Sequence, residues 1–320
     1  VELLAHGKGP IIFNPDNAFA YGRWIGSRYR DYSNIIWING GDRSGEGGNY
    51  AVWDSLGGGI KSVDQNHLMT FHPLGGGGRG YSSSRWFHEC PWLDFNMAQS
   101  GHERRDLPNY ELIEHDYRLT PIKPCMDGEP RYEDHCVNWN PELGWFDDYD
   151  VRQAAYWSLL AGGHGHTYGC HAVWQFLTPE RSPVGKARGN WREAMDLPGA
   201  AQMKHVRTLM ESRPMLSRVP DQSLVENAGA SAERIMAARG DGYAFIYLPI
   251  GGEVHVNLGG LGWLRISASW FDPRSGRTTP IGTYRVSDQQ VFTTLTQGRG
   301  NDWMLIIDDE KKSCARISAK

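Results

Sequence analysis

The chain is predicted to fold as an α/β protein, a (β/α)8 TIM barrel followed by a small all-β sandwich. Three features carry this prediction. Short apolar runs near residues 35, 68, 94, 124 and 165 alternate with helical segments, the rhythm of repeated βα units. Each run ends in polar, glycine-rich sequence, as barrel strands do at the face that carries chemistry. After Pro220 the apolar runs are separated by turns and not by helices, which is the texture of a sandwich.

In chain order, Asn14 is a helix N-cap and Pro15 the first helical residue of a segment reaching Arg30. Gly22 and Gly26 weaken that helix by propensity. The β-branched and aromatic run 34–39 is a buried strand closed by Gly40-Gly41-Asp42-Arg43. A helix over 50–63 leads to the strand 67–72, and a glycine-rich loop (75–80) leads to the strand 92–97. A helix over 109–119 precedes Pro124 to Asp127, a short buried strand that breaks open at Gly128 and is stopped by Pro130. A helix over 150–161 leads to Gly165-His-Thr-Tyr168, and the last long helix spans 198–213. The sandwich strands are read at 243–248, 254–258, 264–270 and 303–307.

Five barrel strands are visible where a barrel takes eight. The chain opens on a helix, with no initial Met and no signal peptide, so strands 1–3 are read as missing from it. The expected division is a partial barrel over 1–214, a sandwich over 215–310 and a tail over 311–320.

Composition excludes several functions. A net charge of −4 with no dense basic block argues against nucleic acid, and no apolar run approaches a membrane span. The glycines at 57–59 and 75–78 lack the strand-to-helix context of a dinucleotide fingerprint, so a dinucleotide site is not expected. The five cysteines include no C-x-x-C pair, and no H-E-x-x-H is present. Neither a cofactor nor a metal is expected. The 13 tryptophans suit sugar stacking and core filling alike.

Barrel chemistry sits at the C-terminal strand ends. These offer Asp42 and Arg43, then His72, then Asn96, Gln99 and His102. Asp127 and Glu129 follow, with Tyr132 and Glu133 further along, and finally His166, Tyr168 and His171. With three strands placed ahead, Asp42 falls on strand 4 and Glu129 on strand 7. Two carboxylates on opposite walls suit glycoside hydrolysis, where one protonates the leaving oxygen and the other attacks the anomeric carbon or activates water. Arg43, His72, Asn96, Gln99, His102, Asp127, Tyr132, His166, Tyr168 and His171 are the expected substrate contacts, and Glu133 is read as a rim contact. The competing reading has Asp42 capping its loop and pairing with Arg43, beside an acidic turn at 127–134.

The stretches N-I-I-W-I-N-G-G-D-R (34–43), H-L-M-T-F-H-P (67–73), W-L-D-F-N-M-A-Q-S-G-H (92–102), K-P-C-M-D-G-E-P-R-Y-E (123–133), F-D-D-Y-D-V-R-Q-A-A-Y-W (146–157) and G-H-T-Y-G (165–169) resemble the apiosidase-like glycoside hydrolases, family 140. W-F-D-P-R-S-G (270–276) resembles their C-terminal module, which carries a collagen-binding label. The resemblance implies a (β/α)8 barrel with a β-sandwich and cleavage of apiose linkages in pectin side chains. It implies that Asp42 is the acid/base and Glu129 the nucleophile. A plant polysaccharide or oligosaccharide is the expected partner, and an extracellular or periplasmic location follows from that substrate. The collagen label is a name and gives no support for collagen binding. The alternative is a non-catalytic carbohydrate- or matrix-binding protein on a degenerate or truncated barrel.

Overall fold

A computed structural model describes residues 12–78, 80–286 and 289–312. Two compact units emerge. The first comprises Val1–Gly101, Glu111–Glu129 and Gly163–His166, and the second His102–Tyr110, Pro130–Gly162 and Thr167–Lys320. Residues 313–320 of the expected tail, Cys314 among them, lie outside the described residues. No described helix is long and apolar enough to cross a membrane.

In the first unit, helix α1 (Pro15–Tyr29) starts as read: Asn14 caps it, and Asn17 returns a bond to the Asn14 backbone. Its glycines answer a packing demand. A Cβ on Gly22 would stand 2.5 Å from the Leu56 carbonyl oxygen. One on Gly59 of helix α2 (Gly48–Lys61) would stand 2.4 Å from the Phe19 carbonyl oxygen. The helices therefore touch backbone to backbone, and tertiary contact overrides propensity.

Strand β1 (Trp37–Arg43) starts and ends later than the apolar run suggests. Ile36 is half exposed, and pairing begins with the Trp37 amide on the Leu68 carbonyl at 2.9 Å. The expected closing turn Gly40–Arg43 is instead part of the strand, with a register break between Gly40 and Arg43 against β2 (Met69–Pro73). The short strand β3 (Tyr81–Ser82) runs antiparallel to β4 (Asn96–Gln99), and the four-residue helix α3 (Ser84–Phe87) follows β3. Helix α4 (Asn109–Tyr117) precedes β5 (Cys125–Asp127), which ends at Gly128 as read. Strands β4, β5 and β6 (Gly165–His166) are parallel. The Asp94 amide bonds to the Met69 carbonyl at 2.8 Å, and the Thr70 hydroxyl to the Phe95 carbonyl at 2.7 Å. Those bonds tie β2 to the β4 side, giving a parallel series β1-β2-β4-β5-β6 in chain order. It is an open arc among the described residues, with its C-terminal strand ends on one side.

In the second unit, helix α5 (Asp148–Leu160) is buried from Tyr149 to Leu160. Asp147 caps it, and Asp150 bonds back to the Asp147 backbone. Helices α6 (His171–Trp174), α7 (Trp191–Ala194) and α8 (Pro198–Glu211) follow. The β module pairs a six-stranded sheet with a two-stranded one. In the larger sheet, β11 (Arg265–Phe271), β14 (Trp303–Asp309), β9 (Tyr243–Leu248) and β8 (Met236–Gly240) lie inside. Its edges are β12 (Thr278–Arg285) and β7 (Val219–Pro220). The smaller sheet is β10 (Gly251–Asn257) with β13 (Gln289–Gln297). Ile246, Leu305, Val254, Val256 and Phe292 form part of the core. The sequence reading missed β12 and β13 because they expose most of their residues and lack a two-residue apolar alternation.

Candidate active site

In the first unit, Asp42, His72 and Glu129 converge at the C-terminal ends of β1, β2 and β5. One ligand-type atom from each lies within 4.8 Å of the other two. Local geometry brings them there. Gly40 and Gly41 have φ of +86° and +109°, and Asp42 itself is left-handed at +50°. This kink coincides with the register break and re-aims the Asp42 side chain. A side chain at Gly40 would collide with the His72 carbonyl oxygen at 2.6 Å, so only glycine permits that approach. Glu129 is fixed through its backbone: its amide reaches the Ala98 carbonyl at 3.3 Å, and its carbonyl accepts from the Gly101 amide at 3.0 Å.

His72 is the hub. Nε2 lies 2.9 Å from Glu129 Oε2, Nδ1 lies 2.9 Å from the Pro73 carbonyl oxygen, and Asp42 Oδ1 is 3.9 Å from Nδ1. Burial pushes the imidazole pKa down, but the hydrogen bond and charge of Glu129, with the charge of Asp42, override it and lift the pKa to about 9. The Asp42 amide also points at Nδ1 from 3.4 Å, and the raised pKa favours a charged ring facing Glu129. Two carboxylates and a histidine at this spacing could also hold a cation, which would displace the ring proton on binding. The Arg43 side chain forms no hydrogen bond or ion pair among the described residues, so the pairing with Asp42 required by the competing reading is absent there.

The other strand-end residues of this unit divide by burial. Asn96 is fully buried and bonds to His88 Nδ1 at 3.1 Å. Asp127 is also fully buried and accepts from the Ser100 hydroxyl at 2.7 Å. Each is held in place by a buried hydrogen-bond partner. Gln99 is 5% exposed, while Arg43 and His166 are partly exposed.

His102, Tyr132, Tyr168 and His171 belong to the second unit. His102 lies 4.4 Å from both Tyr132 and His135, and His135 lies 4.2 Å from His171, centroid to centroid. All three imidazoles are buried. Burial and the nearby charge of His102 hold His171 down at about 4, so it is neutral near pH 7. The Tyr168 hydroxyl donates to Glu133 Oε2 at 2.6 Å, and the Gly199 amide donates to Glu133 Oε1 at 3.1 Å. Glu133 is 3% exposed, which corrects its reading as a rim contact. Burial raises its pKa.

Sequence reasoning passed over His135 and Trp139. Asn138 and Trp139 are consecutive left-handed residues with φ of +51° and +57°, each costing about 1–2 kcal/mol. Only the fold reveals that strain. The H-C-V-N-W spacing (135–139) carries no periodic signal.

Residues 4–217 match a family described as "Apiosidase-like, catalytic domain", and residues 219–308 one described as "Putative collagen-binding domain of a collagenase". A solved structure described as a glycoside hydrolase is 36% identical, with a TM-score of 0.89 over 94% of this chain and 70% of its own. A second, described as a glycoside hydrolase family 5 from Bacteroides vulgatus ATCC 8482, is 34% identical, with a TM-score of 0.91 over 97% of this chain and 70% of its own. No curated protein matches. The family 5 description corrects the expected recognition as a family 140 apiosidase. The likeness stands at the level of a glycoside hydrolase with a C-terminal β module, and no apiose specificity follows from it.

Proposed function

Because the chain belongs to the glycoside hydrolases, in the family described as apiosidase-like, catalytic domain, we propose that it hydrolyses glycosidic bonds of plant cell-wall polysaccharide with retention of configuration. Pectic side chains are the substrate to try first, and that choice rests on the family description alone. One observation carries the mechanism: one ligand-type atom each of Asp42, His72 and Glu129, at the ends of β1, β2 and β5, lies within 4.8 Å of the other two. Retaining enzymes hold their carboxyl groups about 5–5.5 Å apart, while inverting ones leave about 6.5–9.5 Å for a water. The short separation supports retention.

Glu129, facing His72 Nε2 at 2.9 Å, is the nucleophile. Its carboxylate attacks the anomeric carbon as Asp42, having taken up a proton from solvent, gives it to the departing oxygen, so the glycosidic bond breaks and a glycosyl ester forms. Asp42, now ionised, takes a proton from water, and that water displaces Glu129 from the anomeric carbon. Arg43 and His166, both partly exposed, are the proposed contacts for sugar hydroxyls. The chain-order strand series supports reading the arc as part of a (β/α)8 barrel within a catalytic domain over 1–214, with the β module over 215–310. A polysaccharide substrate would put the protein outside the cytoplasm, in the extracellular or periplasmic space.

Glu129→Gln and Asp42→Asn are expected to lower kcat/KM on pectic oligosaccharide by about 10³-fold or more with Tm preserved. Proton NMR should show the first-formed product anomer matching the substrate. Wild-type turnover in either variant, or an inverted first product, would overturn the assignment.

A further inference from the structure

Trp139 stands on a loop whose construction has no role in the dyad chemistry. Its indole is 53% exposed, although tryptophan normally buries most of its surface. Two consecutive left-handed residues hold it there. Non-glycine residues keep that conformation only where the surroundings enforce it, and such strain concentrates at ligand contacts. The enforcement is visible. The His135 ring meets the indole edge-on at 4.4 Å and 86°, His102 at 6.0 Å and 78°, and His171 at 6.2 Å and 90°. A Cβ at Gly185 would lie 2.4 Å from the indole Cζ3, so the neighbouring loop packs closely against one side of the ring. The Asn138 amide is anchored to the His102 carbonyl at 2.8 Å. Trp139 is thus rigidly supported on one side and open to solvent on the other.

A second indole extends the surface. Trp174, 48% exposed, lies 6.2 Å from the same His171 ring. Phe176, 56% exposed, is a further left-handed residue, at φ +51°. Three exposed aromatic rings, two of them on strained backbone, offer flat apolar faces. The ligand class that pairs such faces with a glycoside hydrolase is a sugar chain, whose pyranose rings present apolar C–H faces to aromatic rings. A protein partner would require a continuous apolar patch with buried anchors, whereas the supports here are polar imidazoles.

We propose that Trp139 is a stacking platform for one sugar ring of a polysaccharide chain, with Trp174 receiving another. This deepens the glycosidase reading by adding a binding surface that no catalytic group requires.

The test uses the full chain and three soluble probes: pectin, arabinoxylan and xyloglucan. In native affinity electrophoresis at least one probe should retard the wild-type protein. Trp139→Ala should weaken that retardation about tenfold, while Trp139→Phe, which keeps a flat ring, should stay within about threefold. Hydroxyl-radical footprinting of the wild-type protein, read by mass spectrometry, should show Trp139 and Trp174 protected by the same probe. That arm needs no variant to fold. No retardation by any probe, an undiminished Trp139→Ala, or an unprotected Trp139 would each overturn the proposal. Glu129→Gln should bind like the wild type. Should that variant still turn substrate over, the mechanism fails while the stacking result stands on its own.

Discussion

His72 fixes the pH behaviour of the site. Its pKa, lifted to about 9 against about 6.5 in an unfolded chain, means the native state binds the extra proton between those values. Stability from this group is therefore complete below pH 6.5 and lost as pH rises towards 9. A shift of that size corresponds to about 3 kcal/mol at most. Urea denaturation at pH 6 and pH 9 should show that loss, and His72→Asn should flatten the difference. Activity should fall over the same alkaline range, because loss of the imidazolium leaves Glu129 beside Asp42 without its positive partner. The carboxylates were legible in the sequence from their strand-end positions. The role of His72 as a bridge between them was not, because 30 residues separate it from Asp42 and 57 from Glu129, and only strand pairing closes those gaps.

At the scale of elements, the helix pair α1–α2 sets propensity against packing. Gly58 and Gly59 are neighbours in α2, and propensity assigns each about 1 kcal/mol of gain on substitution by alanine. Nothing lies within 4 Å of a Cβ on Gly58, whereas one on Gly59 meets the Phe19 backbone at 2.4 Å. Gly58→Ala should therefore stabilise by about 1 kcal/mol, and Gly59→Ala should destabilise by about 1–3 kcal/mol. Thermal melts of the two variants should move in opposite directions. The sequence displays G-G-G at 57–59 with no sign of which glycine is needed. The strand Tyr243–Leu248, by contrast, was readable to the residue, because an uninterrupted apolar run rich in aromatics and bounded by turns admits few alternatives.

Across the molecule, the second unit depends on a buried charge that spans the chain. Arg152 of α5 is 1% exposed and makes a two-pronged pair with Asp302, at 3.1 and 2.8 Å. It also bonds to Gln202 of α8, and the Tyr247 hydroxyl donates to Asp302 at 3.2 Å. Removing one partner strands the other in a low-dielectric interior. Asp302→Ala should cost about 3–5 kcal/mol, and urea denaturation should show it as a lower midpoint. A β module produced alone would lose Arg152, so residues 219–308 should melt below the full chain by differential scanning calorimetry.

The sequence by itself determined the alternation of strands and helices, the change of texture after Pro220, and the two carboxylates at strand ends. These are local properties, written in periodicity, capping residues and turn composition. Only the tertiary structure decided that Asp127 and Asn96 are buried supports, that Glu133 lies inside, that His72 joins the carboxylates, and that Trp139 is held out on strained backbone. Burial and partnership depend on residues tens of positions away, and the protonation state of a buried group depends on the neighbours that folding assembles around it.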